Sequence, residues 1–156
     1  MEKRPPAEEE GARKAAGNEP WRKGRKLMGQ VTAVHLYVTD LDRSVNFYSG
    51  LLGYGPAAAY NEGPTAQSAF FILEDQTFLV LTWDPERGRE TGGAVRLELA
   101  VEDLESEIDR LRAQGIQDGN VNRTRFGTEV FDLADPDGHL VRVGPAWTLH
   151  AIEGAV

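Results

Sequence analysis

VTAVHLYVTDLDRSVNFYSGLL, Val31 to Leu52, decides how the chain folds, because its grammar returns 63 positions later in AVRLELAVEDLESEIDRLRAQG, Ala94 to Gly115. In each copy a short run of alternating apolar residues ends in an acidic residue followed by Leu, Asp40-Leu41 and then Asp103-Leu104, and a helical pattern follows. Superposed, Val38 meets Val101 and Val45 meets Ile108, so identity is thin but the hydrophobic phase is kept. One structural unit has been used twice.

Within the first copy, Ala33, His35 and Tyr37 fall on one face of a strand and Val34, Leu36 and Val38 on the other. The second set is the more apolar and should pack against helices. Asp40 fits as N-cap of a helix whose stripe is Leu41, Val45, Tyr48, Leu51 and Leu52, and Gly53 ends it. Three strand-like pieces follow, residues 55–60, 67–73 and 77–83, with a hairpin turn at Glu74 to Gln76. Residues 84–93 form a polar Pro/Gly linker. The second copy repeats the order: a strand over 95–101, a helix over 104–114 with Gly115 as stop, then pieces at 119–123, 128–133 and 139–143. Asp135-Pro136-Asp137-Gly138 makes the last turn. The expected class is α+β: two tandem βαβββ modules forming a cupped mixed sheet with helices outside.

The domain plan is an N-terminal arm over residues 1–28, disordered or tethering, a folded domain over 29–146, and a tail over 147–156 on which Trp147 and Leu149 could dock. Within the domain, module one covers about 29–84, the linker 85–93, and module two about 94–146. The arm carries eight Lys/Arg against five Glu, while the remaining residues carry nine Arg against twenty Asp/Glu and no Lys. A body of net charge −11 repels phosphate backbones, which disfavours nucleic acid as a partner. No apolar run is long enough to span a bilayer, so no membrane partner is expected. The charged start lacks the apolar segment of a secretory signal, which makes the cytoplasm the expected location. With no Cys there is no disulfide, thiolate ligand or Cys nucleophile.

Two modules in this order, together with "V-x-D-L-x-x-S-x-x-F-Y-x-x-L-L-G" over Val38 to Gly53 and "D-P-D-G" over Asp135 to Gly138, resemble the vicinal oxygen chelate superfamily. That group includes glyoxalase I, extradiol dioxygenases, fosfomycin-resistance enzymes and bleomycin-resistance proteins. The resemblance covers about residues 30–144. It implies that each module rolls into a cup, and that in metal-using members His or Glu ligands converge from first and last strands. The matching positions here are Ala33, about Val80, Arg96 and Arg142. Alanine and valine have no donor atoms and guanidinium has no lone pair to give, so no metal is expected. His35 and Glu98, two residues downstream of the lost first ligands, are the weak candidates for a shifted metal site or for metal-free acid–base chemistry. His139 is out of phase with Arg142 and should face away, and His150 sits in the tail.

By strand parity the cup presents His35, Tyr37, Thr82, Arg96, Glu98 and Arg142, with Val80 and Leu140 as its aliphatic part. Arg96 and Arg142 repel unless an anion lies between them. Either Glu98 supplies it, giving an internal ion-pair ladder, or a ligand does, with Tyr37 stacking on its remainder. His35 is equally readable as a hydrogen-bonded core histidine. Phe70, Phe71 and Phe78 are expected in the core, although aromatic residues of the middle strands line the groove in binding members of the family. The resulting expectation is a metal-free small-molecule binding protein, a homodimer of the bleomycin-resistance type without cofactor. The alternative is a lyase, isomerase or dioxygenase-like enzyme. A third reading is a scaffold whose basic arm docks a partner.

Overall fold

The computed structural model describes residues 30–63, 67–74 and 76–146. The expectations for the arm and the tail, including Trp147, Leu149 and His150, lie outside them. The chain divides into Met1–Thr32 and Ala33–Val156, and every element below belongs to the second unit.

Strand β1 (Ala33–Val38) leads into helix α1 (Leu41–Leu52). Asp40 is extended and its carboxylate accepts from the Arg43 amide at 3.1 Å, which satisfies one of the free donors of the first turn. Strands β2 (Ala58–Asn61), β3 (Gln67–Ile72) and β4 (Phe78–Trp83) complete the first module. Helix α2 (Pro85–Thr91) connects to the second: β5 (Arg96–Ala100), α3 (Leu104–Ala113), β6 (Asn120–Arg123), β7 (Glu129–Ala134) and β8 (Leu140–Gly144). Each module makes one four-stranded mixed sheet, in the orders β1-β4-β3-β2 and β5-β8-β7-β6, with the first and last strands of each module parallel. This is the α+β arrangement of two βαβββ units that the repeat implied.

The expected linker is in fact partly helical. Asp84 caps the Arg87 amide at 3.0 Å, Pro85 occupies the first turn where its missing N–H costs nothing, and α2 packs on β1. Gly88 permits that approach, since a Cβ there would stand 3.0–3.2 Å from Thr39 and Val38. The composition looked like a loop because Gly, read alone, signals a break; here it signals contact.

Alternation along the strands sends one set of side chains behind the sheets. Leu36, Val38, Phe71, Leu79 and Leu81 of the first sheet, Phe131, Leu133, Val141 and Val143 of the second, and Tyr48, Leu51, Ile108 and Leu111 of the helices form one buried cluster. Phe71 thus lies in the core as expected, with none of its surface exposed.

The modules are also joined by polar contacts behind the sheets. The hairpin turn Asp135–Gly138 rests on the β1–α1 corner: the Asp137 carboxylate accepts from the Thr39 amide at 3.2 Å and the Thr39 hydroxyl at 2.5 Å. Buried Asp135 accepts from the Tyr48 hydroxyl at 2.7 Å and from the His139 amide at 2.9 Å. Burial, reinforced by the Asp135 charge, drives the Tyr48 phenol well above its ordinary pKa of 10.0. His139 faces away from Arg142, as its phase required, and its Nε2 donates to the Tyr37 carbonyl at 2.8 Å, since a carbonyl only accepts. On the other side, the Arg110 guanidinium of α3 donates to the Gly50 and Leu51 carbonyls at 2.9 and 2.6 Å. It supplies the cation that the last turn of α1 lacks.

Both modules use the same last turn. Leu73 and Asp135 receive equivalent bonds from Gln76 and Gly138, and both turn residues have positive φ, 70° and 87°. Gly138 adopts that conformation without strain and Gln76 does not.

Candidate functional site

The alternate set of strand residues forms two open faces, one per sheet. On the first, the pairing register lines up three rows: Tyr60–Ser68–Thr82–Tyr37, Ala58–Phe70–Val80–His35, and Ile72–Phe78–Ala33. His35, Tyr37 and Thr82 are therefore brought together as parity required. His35 is exposed, so among the described residues the buried histidine is His139 and not His35.

Phe70 and Phe78 correct the core expectation: they stand on this open face. With Tyr60 they make an aromatic ladder across β2, β3 and β4, Tyr60–Phe70 at 5.4 Å and Phe70–Phe78 at 6.3 Å between ring centroids, edge to face. Tyr60 keeps 53% of its surface exposed, Phe78 40% and Ile72 40%. Phe71 is core and Phe70 is not because neighbours in a strand point to opposite sides. The period alone could have shown this, had the apolar run been split by parity. At the β1 end of the first row, Arg87 of α2 donates through Nη1 to the Tyr37 hydroxyl at 3.2 Å and lies 5.1 Å from the ring centroid.

The second face carries Arg96, Glu98 and Arg142, with Arg96 opposite Leu140 and Glu98 opposite Arg142. Glu98 lies 3.4 Å from Arg96 and 3.9 Å from Arg142, so the two contacts of the expected ladder exist. The stronger partner of Arg142 is one the sequence reading missed: Asp132 takes its Nε and Nη2 at 2.7 and 2.9 Å, a two-pronged pair. Asn122 donates to the same carboxylate at 2.9 Å. These hydrogen bonds, first those from Arg142, hold the Asp132 carboxyl below the usual carboxylate range despite partial burial. Asp132 in turn raises the Arg142 guanidinium above its ordinary value. Two guanidinium groups and two carboxylates sum to zero, so the anion between the arginines comes from the chain itself. The signal was available: counting outward from Asp135 and His139 across the turn puts Asp132 opposite Arg142. A groove of about 310 Å³ runs beside Glu98, Ala100, Val130, Arg142 and Gly144.

His35 and Glu98 lie on different sheets. The residues at the family's ligand positions do not fit a divalent cation, because Ala33 and Val80 offer no donor atom and Arg142 is already held by Asp132. Among the described residues no three His, Cys, Asp or Glu side chains are placed to hold a metal ion. No helix among them is long and apolar enough to cross a membrane.

Comparison with known proteins agrees with this architecture. The family model of the glyoxalase/bleomycin resistance protein/dioxygenase superfamily matches residues 28–143. A glyoxalase/bleomycin resistance protein from Catenulispora acidiphila is 23% identical, with a TM-score of 0.60, over 76% of this chain and all of that one. The antibiotic-binding protein TnmS3 from a Streptomyces species is 22% identical, with a TM-score of 0.60, over 79% of this chain and all of its own. A bleomycin-binding protein solved with bleomycin is 21% identical, with a TM-score of 0.58, over 77% of this chain and all of its own. At such identities these likenesses speak for the fold. No curated protein matches the sequence.

Proposed function

The chain belongs to the glyoxalase/bleomycin resistance protein/dioxygenase superfamily, and from that premise we propose that it is a metal-free small-molecule binding protein working as a homodimer. The observation that carries this reading is the Tyr60–Phe70–Phe78 ladder on an open sheet face. Aromatic side chains left partly in water lose contact area that a flat ligand would restore, and such rings gain from edge-to-face or offset stacking. Relatives that bind bleomycin or another antibiotic on this fold support it.

The need for a second chain follows from shape. A bound small molecule is commonly enclosed over roughly 70–90% of its surface, and a sheet face provides one wall. A second copy laid over the open faces would supply the other. His35, Tyr37 and Thr82 would then touch ligand from the first face. Arg96, Glu98 and Arg142 would act from the second as a neutral polar wall rather than as free anion anchors.

Equilibrium dialysis of the full chain against bleomycin and a panel of planar aromatic antibiotics tests the reading. Saturable binding that Phe70→Ala abolishes is the expected result; binding unchanged by Phe70→Ala would sink it. Light scattering should give twice the 17.2 kDa chain mass. If dialysis against Ni, Mn, Zn and Fe leaves stoichiometric metal that His35→Ala releases, the metal-free part fails and the enzyme alternative takes its place.

A further inference from the structure

Resting on the ligand-binding reading, we propose that the first face takes a ligand with a flat aromatic body and one anionic group, and that Arg87 receives the anion. Among the described residues the three rows of that face carry no Asp, Glu, Lys or Arg. Arg87 is the cation beside them, placed by the short helix between the modules. Its side chain is 61% exposed, and its described contacts use Nε, 3.7 Å from Asp84, and Nη1, bonded to Tyr37. Among the described residues Nη2 has no partner, so it can serve an outside acceptor. The arginines first expected to bind an anion are less suited, since Arg142 is held by Asp132 and Arg96 shares Glu98.

The spacing suits a compact ligand. Tyr60 and Tyr37 end the same row three strand spacings apart, about 14 Å at roughly 4.8 Å each. Two fused rings over Phe70 and Thr82 would bring a carboxylate, sulfonate or phenolate within reach of the guanidinium at Tyr37. The acidic body works against an anion at long range. At contact the nearest charge dominates, because separations beyond about 8 Å are screened at physiological salt. A cationic ligand would find no carboxylate within these rows.

The test uses the full chain with 2-naphthoate, 2-naphthamide and 2-naphthylmethylammonium, titrated calorimetrically at low and high salt. Naphthoate should bind about tenfold more tightly than the other two, with the advantage shrinking in high salt. Arg87→Gln should erase that preference, Arg87→Lys should restore part of it, and Phe70→Ala should weaken all three probes alike. Arg87→Gln leaves the backbone cap of α2 in place, and an unchanged melting temperature confirms that. Equal affinity of all three probes for the wild type, or a preference that survives Arg87→Gln, overturns the assignment of Arg87 while the binding site stands. No probe bound, together with a dimer that Phe70→Ala splits, would mean that a second copy fills the face, and the binding reading itself would fall.

Discussion

The two sheets have the same strand order, the same register and the same division of side chains, yet their open faces hold opposite chemistries. The first presents Tyr60, Phe70, Phe78 and Ile72 with His35, Tyr37 and Thr82 near one side. The second presents Arg96, Glu98, Asp132 and Arg142 bonded to one another. Duplication conserved what lies behind the sheets and let the faces diverge. The polar face satisfies its own charges, whereas the aromatic face leaves apolar area in water, which is what the proposed ligand would cover.

The sharpest way to break this contrast uses two adjacent phenylalanines. Phe71→Ala removes a fully buried ring and should cost about 3–5 kcal/mol in urea unfolding. Phe70→Ala, one residue earlier on the open face, should cost less than about 1 kcal/mol. If the two losses are equal, the first face is packed core and the contrast is wrong.

Next in size is the link behind both faces. Tyr48→Phe deletes the hydroxyl that donates to buried Asp135 and should cost about 1–3 kcal/mol at neutral pH. The folded-state pKa of Tyr48 is raised, so its contribution is complete below the unfolded value of 10.0 and is lost as pH rises beyond it. The gap between wild type and Tyr48→Phe should therefore narrow above pH 10, read from melts across the alkaline range. A gap that stays constant would show that the bond does not govern the titration.

The smallest effect belongs to the second face. Asp132 has a lowered folded-state pKa, so its stabilisation is present above the unfolded value of 3.8 and is lost as pH falls through the folded one. With both side chains partly in water, Asp132→Asn should cost under about 1 kcal/mol at pH 7. The difference from wild type should vanish in acid. A larger loss would make this face a structural element rather than a tolerant wall.

The fold was legible because repetition constrains it twice: the strand-cap-helix grammar of Val31 to Leu52 recurs, and two independent copies of a weak pattern make a strong one. That His35, Tyr37 and Thr82 share one sheet face was legible for the same reason, since parity is local. Asp132 and Arg87 were not seen, for different reasons. Asp132 needs the register of a hairpin, which turn counting supplies only when carried past the turn. Arg87 needs the docking of α2 on β1, a tertiary contact with no local periodic mark. Phe70 and Phe78 were misplaced because apolar composition was weighed ahead of alternation.

The hairpin turn Asp135–Gly138 seated on the β1–α1 corner has a practical corollary for protein engineering. The motif residues that most clearly mark the family, Asp135, Asp137 and Tyr48, are spent on holding the modules together behind the sheets. Libraries that randomise Ala33, His35, Ser68, Phe70 and Phe78 would alter the open face without touching that joint. The chain is thus a scaffold whose variable surface and whose fastening are physically separate, and selection can work on one without first repairing the other.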